Sequence, residues 1–238
     1  MTTRPPAEVG MPLAAVDTPA LLLDLDAFER NIARLAKAAA DARIRLRPHA
    51  KTHKSPVIAR RQMASGAVGV CCQKVGEAEA MVYGGVPDVL ISNEIVGTPK
   101  IHRLVALAKQ ARVAVCADDA GNVASLNQAA AAFGVRLSVL VEVNVGSNRC
   151  GVEPGEPTVA LAKGIAASPA LRFGGLQAYY GAAQHLREYG KRKEAVEAAG
   201  EKIRGTLELL RRHGLTSDVV SGAGTGTYEF EAASGIWT

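Results

Sequence analysis

Short apolar runs alternate with amphipathic stretches along most of this chain. The runs 20–25, 44–50, 67–72, 88–92, 112–117, 137–143, 171–178 and 217–221 have the length and the bounding turns of strands. Between them, apolar residues recur at helical spacing over 27–42, 75–83, 100–110, 120–133, 157–167 and 191–213. Thr98-Pro99 reads as a helix start, and Gly134 and Gly214 fall where helices should stop. Strands alternating with helices predict a parallel sheet with helices packed outside it, and eight repeats of the unit predict an α/β (β/α)8 barrel of the triosephosphate-isomerase type. The connections are short, with no internal repeat and no linker, so 17–238 reads as one domain behind an N-terminal extension, 1–16.

In such a barrel, chemistry sits at the carboxyl ends of the strands. The unusual polar residues fall there: Lys51 after the second run, Gln73 and Lys74 after the third, Asn93 and Glu94 after the fourth, and Asp118 and Asp119 after the fifth. Asn144, Asn148 and Arg149 follow the sixth, Tyr179, Tyr180 and His185 the seventh, and a glycine-threonine loop the eighth. Periodicity therefore gathers them on one rim.

Composition narrows the picture. With 238 residues and 48% hydrophobic content the chain can bury a full core. No stretch approaches the roughly 18 apolar residues of a membrane span, and the first residues lack the apolar core of a secretory signal, so no membrane partner and a cytoplasmic location are expected. The formal charge of +5 does not point to nucleic acid. Much of the basic excess lies between Arg187 and Arg212, interleaved with Glu188, Glu194, Glu197, Glu201 and Glu208, and aromatics make up only 4%. Cys71, Cys72, Cys116 and Cys150 lack paired zinc spacing, and strand neighbours such as Cys71 and Cys72 face opposite ways, so they read as reduced and mostly buried.

Two motifs carry chemistry. In Arg47-Pro48-His49-Ala50-Lys51-Thr52-His53-Lys54, a lysine sits among cationic and imidazole groups, an environment that favours the free amine a nucleophile needs; a solvated basic turn would read the same way. In Ser221-Gly222-Ala223-Gly224-Thr225-Gly226-Thr227, glycines let backbone amides approach an anion while hydroxyls add donors, which suits a phosphate monoester. It is neither a nucleotide P-loop, whose lysine is missing, nor the dinucleotide fingerprint. An aldehyde-seeking lysine and a phosphate cradle on one rim suggest pyridoxal 5′-phosphate.

These motifs, together with 69–75, 144–151, Gln177 to Gly181 and Gln184-His185, resemble the D-threonine aldolase and D-3-hydroxyaspartate aldolase family, fold-type III pyridoxal phosphate enzymes with a barrel of the alanine racemase N-terminal kind. The resemblance runs from Asp17 onward. It implies that Lys51 holds the cofactor covalently, that Arg149 bonds its phenolic oxygen, that His49, Gln73, Tyr179, Ser221, Gly224, Thr225, Gly226 and Thr227 complete the cofactor site, and that His185 is the base. The implied reaction is retro-aldol cleavage of a D-3-hydroxy amino acid to glycine and an aldehyde by a homodimer aided by Mg or Mn. Two departures stand out. Tyr180 replaces a histidine usual in the family, and relatives continue past Trp237-Thr238 into a last barrel strand and a C-terminal β domain that carries the metal ligands, so the barrel is expected to be incomplete and no metal ligand is assigned in this chain. If the run 20–25 belongs with that absent domain, seven barrel strands remain. Alternatives are a D-serine dehydratase-like enzyme, a non-catalytic single-barrel pyridoxal phosphate carrier and an inactive fragment.

Overall fold

The computed structural model describes residues 7–238; the first six residues of the expected extension lie outside the described residues. The elements are α1 (Leu25–Ala42), α2 (Pro56–Ala64), β1 (Val70–Cys72), α3 (Val75–Tyr83), β2 (Asp88–Glu94), α4 (Thr98–Leu107), β3 (Arg112–Ala117), α5 (Ala120–Phe133), β4 (Leu137–Glu142), α6 (Glu156–Ala166), β5 (Leu171–Ala178), α7 (Tyr189–Arg212), β6 (Val219–Gly222) and α8 (Tyr228–Ala233). The six strands form one sheet in sequential order, and every neighbouring pair is parallel.

Strand alternation sorts the side chains into two layers. Val70, Cys72, Val89, Ile91, Val113, Val115, Val139 and Val141 face the helices and join Leu104, Leu126, Ile165 and Ile203 in the main core. Cys71, Leu90, Cys116 and Leu140 form a separate cluster on the opposite, inner face. Each fully buried Leu or Ile contributes about 1.5–3 kcal/mol of transfer free energy, so the helix-facing layer dominates stability. The expected opposition of Cys71 and Cys72 is realised in these two clusters.

The described residues form six parallel strands of the eight-stranded pattern, which agrees with the incomplete barrel the resemblance implies. The run 20–25 is not a strand: α1 begins at Leu25, capped by Asp24, whose Oδ1 accepts the Ala27 N–H at 2.8 Å, while Leu21, Leu22 and Leu23 stand exposed and pair with no strand among the described residues. The run 44–50 is extended and lies beside β1, donating from Ala50 to Cys71 O at 2.7 Å and accepting from Val68 and Cys71, yet it registers only one parallel bridge, His49 to Cys71. Pro48 removes a donor from its middle. The sheet is nonetheless curled. Arg45 Nη2 reaches from the 44–50 segment to Asp218 O at 2.9 Å and Thr238 Oγ1 at 3.1 Å, linking the two outer edges.

Helix boundaries follow local chemistry. Asp119 caps α5 by accepting the Asn122 N–H at 2.8 Å, and Gly134 ends it at φ 65°. Ser55-Pro56 starts α2, a helix the apolar pattern did not predict. Gly97, not Thr98, is the cap of α4, and the interleaved charges of α7 lie on its exposed face, with Lys193 and Glu197 at 3.6 Å. At Gly175 (φ 131°) a β-carbon would collide with the carbonyl of Val219, so this glycine is what lets β6 lie against β5.

Candidate active site

The carboxyl ends of the strands do form one rim. Lys51 follows the 44–50 segment and is exposed. Its backbone N–H donates to His49 Nδ1 at 3.2 Å, so the imidazole proton belongs on Nε2, which lies 3.4 Å from Ser92 Oγ. Burial first, and the positive charge of Lys51 second, push His49 down to about 4, while the negative charge of Glu77 and a hydrogen bond that the imidazole donates to the Gln73 side chain oppose the shift. His49 is therefore neutral near pH 7 and serves as an acceptor that pins the backbone under Lys51. Gln73 is held in turn by its N–H to Glu77 Oε2 at 2.7 Å and by its carbonyl, which accepts from Asn93 Nδ2 at 3.1 Å.

Across the rim, Arg149 lies over the Tyr179 ring, its guanidinium carbon 5.6 Å from the centroid. The loop that carries it is folded on Asn144, whose Oδ1 accepts from Gly146 and Asn148 and whose Nδ2 donates to Asn148 Oδ1 at 2.9 Å and Glu153 Oε1 at 3.0 Å. Beneath Arg149, Glu142 ends β4 on the inner face, 3% exposed, with Oε1 3.6 Å from the guanidinium and Oε2 without a hydrogen-bond partner among the described residues. Burial foremost, then the neighbouring Glu94, raise Glu142 to about 8, with Arg149 pulling the other way; burial also raises Glu94. An ion pair and a raised carboxyl conflict if Glu142 is taken alone. They agree if the two glutamates share one proton and present a single negative charge to Arg149.

Tyr179 OH accepts from Gln184 Nε2 at 2.7 Å, and Gln184 Oε1 accepts the Gly226 N–H at 3.1 Å. One side chain thus ties the tyrosine to the glycine loop. The loop is a cradle: a β-carbon at Gly222 would strike Ala178 O and the Trp237 indole, and one at Gly224 would strike Gln184. Thr225 and Gly226 are exposed, with the Gly226 N–H already given to Gln184 and Thr225 left open to an incoming anion, and Ser221 lies at the loop's start. Thr227 is turned elsewhere. It is 2% exposed, donating to Glu231 Oε1 at 2.9 Å and accepting from Gly224 N–H at 3.2 Å. His185 stands exposed at the end of the 3-10 turn Gly181–His185, and among the described residues no hydrogen bond reaches its ring.

The geometry brings together His49, Lys51 and Gln73 on one side and Arg149, Tyr179 and the loop 221–227 on the other. Glu142 and Gln184 were missed as site residues. Glu142 had a legible signal, an acid at the inward phase of an apolar strand; Gln184 had none beyond its place beside His185. A phosphate-bearing aldehyde fits these residues, since an exposed amine and a glycine cradle lie on the same rim. Glu94, Glu142 and Cys150 offer ligand atoms within 4.8 Å of one another. That group does not fit a metal acting on a substrate hydroxyl, because Glu142 is buried and Arg149 lies against it.

Comparison with known proteins adds a second line. The family described as "Alanine racemase, N-terminal domain" matches residues 23–236. The chain is 48% identical over 235 residues to a D-threonine aldolase of an Arthrobacter species, covering 98% of this chain and 62% of that protein. It is 46% identical over 234 residues to a 3-hydroxy-D-aspartate aldolase of Paracoccus denitrificans, covering 98% and 60%. The crystal structure of D-threonine aldolase from Filomicrobium marinum superposes with a TM-score of 0.97 at 54% identity, over 99% of this chain and 64% of that one. A D-threo-3-hydroxyaspartate dehydratase of a Delftia species is more distant, at 32% identity. The chain thus spans less than two thirds of the length of these three aldolases.

Proposed function

The chain belongs to the alanine racemase N-terminal domain family, and from that premise we propose that it works in pyridoxal phosphate-dependent retro-aldol cleavage of a D-3-hydroxy amino acid to glycine and an aldehyde. The observation that carries the proposal is the Tyr179–Gln184–Gly226 hydrogen-bond chain, which joins a ring beneath Arg149 to an anion cradle on the rim that bears Lys51. The similarity to two aldolases supports the same reading.

In this reading Lys51 would hold the cofactor's aldehyde carbon through its Nζ, Arg149 its ring hydroxyl, and the exposed Thr225, through its amide and hydroxyl, its phosphate. When bound, the cofactor supplies an electron sink for the pair released as the Cα–Cβ bond breaks. The chain's own residues do the rest. Neutral His49 fixes the backbone of Lys51 without adding a second positive charge beside the amine. The Glu94–Glu142 pair keeps Arg149 in place by facing it with one negative charge. Gln184 orients the Tyr179 hydroxyl, and His185 Nδ1 or Nε2 takes the proton of the substrate's β-hydroxyl. The 17–238 segment as a barrel domain completed to eight strands, a homodimeric assembly and a cytoplasmic setting are parts of the same proposal; among the described residues no helix is long and apolar enough to cross a membrane.

The test is to load the protein with pyridoxal phosphate, with and without Mg or Mn, add D-threonine or D-3-hydroxyaspartate and assay glycine. Glycine should form, and Lys51→Ala should abolish it together with the absorbance of lysine-bound cofactor. Pyruvate from D-serine without glycine from either substrate would replace this reading with a dehydratase.

A further inference from the structure

Beside the rim lies an open cleft of about 650 Å3 whose charged lining is Lys54, Lys74, Lys100, Arg103, Glu77 and Glu94. These charges are not equivalent. Arg103 is paired with Glu79, outside the lining, and Glu77 is occupied by the Gln73 N–H at 2.7 Å. Glu94 is half-buried, and burial favours its neutral form. Lys54, Lys74 and Lys100 are exposed and enter no ion pair among the described residues. Three uncommitted ammonium groups therefore share one concave space, to which the first turn of α3 adds the positive end of its dipole.

The cleft abuts the reactive lysine through shared walls. Gln73 lines it and also bonds His49, which accepts the Lys51 N–H. Asn93 lines it and donates to the Gln73 carbonyl. Lys54 is three residues beyond Lys51 and is held at φ 51°, a left-handed conformation that costs a lysine free energy, with its N–H donated to Ala50 O at 2.7 Å. A substrate held at Lys51 thus has a cationic space next to it. A methyl group gains nothing from three ammoniums, whereas a carboxylate does.

We propose that this cleft is the subsite for the second carboxylate of a dicarboxylic D-3-hydroxy amino acid, with Lys54, Lys74 and Lys100 as its recognising groups, so that the protein favours a 3-hydroxyaspartate-type substrate over threonine. The inference rests on the aldolase reading for its kinetics and not for its binding. An exposed ammonium–carboxylate contact lies at the weak end of electrostatic interactions, so each lysine is worth about 2- to 5-fold and a pair on the order of tenfold.

The experiment compares wild type with Lys74→Ala/Lys100→Ala and with Lys74→Arg/Lys100→Arg, all loaded with pyridoxal phosphate. One arm measures kcat/KM for glycine formation from D-3-hydroxyaspartate and from D-threonine. The other measures binding of D-malate and D-lactate by calorimetry. The ratio of hydroxyaspartate to threonine kcat/KM should fall about tenfold in the alanine pair and recover in the arginine pair, and the malate-to-lactate affinity ratio should follow it. A ratio within twofold of wild type in both arms overturns the subsite. Glycine from neither substrate overturns the aldolase reading, and the malate-to-lactate ratio then decides the subsite by itself.

Discussion

Replacing Glu142 by glutamine tests the account of the buried carboxyl pair beneath Arg149. Glutamine keeps the size and hydrogen-bonding capacity of the side chain and removes its ability to ionise. Burial, then Glu94, move Glu142 from the ordinary 4.5 to about 8. A group raised in the folded state contributes stability that is present below its unfolded pKa and lost as pH rises through the folded one, so wild type should lose stability between about pH 4.5 and pH 8 relative to the variant. At about 1.4 kcal/mol per pH unit the difference accumulates to no more than about 5 kcal/mol over that window, and relaxation or water entry reduces it. For a chain of 238 residues, at roughly 2–4 °C per kcal/mol, Glu142→Gln should melt some 5–10 °C above wild type at pH 8.5 when the two are matched at pH 5. The assay is thermal melting of both proteins by circular dichroism across pH 5 to 8.5. If wild type gains on the variant as pH rises, Glu142 is ionised and bound to Arg149, its pKa lies below the ordinary value, and the shared proton is wrong.

Three further outcomes follow from the geometry. Gly224→Ala places a methyl group against the Gln184 side chain; Gln184 can move only by giving up its bonds to Tyr179 and Gly226, and at about 1 kcal/mol each the dissociation constant for pyridoxal phosphate should rise roughly tenfold or more in an absorbance titration, with Gln184→Ala close behind. Gly175→Ala sets a β-carbon against the Val219 carbonyl, which is sheet backbone and cannot swing aside, so soluble yield should fall and unfolding free energy, read from melting, should drop by more than about 3 kcal/mol. His49, lowered to about 4 mainly by burial, contributes stability that is complete above its unfolded pKa near 6.5 and lost as pH falls through about 4; His49→Asn should flatten the melting temperature between pH 6.5 and 4, and an unchanged acid slope would show that the ring is not buried neutral.

Much of the fold was legible because the two periods that reveal it are imposed by burial. Val75–Tyr83 and Ala120–Phe133 lie where apolar spacing put them, since their inner faces pack on the sheet. The misreading of 20–25 came from the same rule used without a partner: Leu21, Leu22 and Leu23 are apolar but exposed, and an apolar run predicts burial only when something covers it. Pro48 hid a second limit, because a strand that lacks an N–H keeps its direction and loses its ladder. The position of Lys51, Arg149 and the glycine loop on one rim was legible from periodicity, while their roles belong to the proposed function. The orientation of Thr227 was not legible, since it depends on Glu231, four residues on, and nothing in a glycine-threonine loop says which hydroxyl turns inward.

Glu142 and Gln184 show why site residues are harder to read than site motifs. Neither would touch a cofactor held between Lys51 and the loop. Each acts on a residue that would, Glu142 from below Arg149 and Gln184 between Tyr179 and Gly226. Such supporting groups are recognisable only when two distant segments are placed side by side: Gln184 and Gly226 are 42 positions apart in sequence and one hydrogen bond apart in space. The same holds for the cationic cleft, whose lysines come from two successive strand-to-helix connections and the first turn of α4, and become a single surface only because the parallel sheet stacks these segments along one rim. The rim is a consequence of topology. Its specificity is written in residues that no single segment brings together.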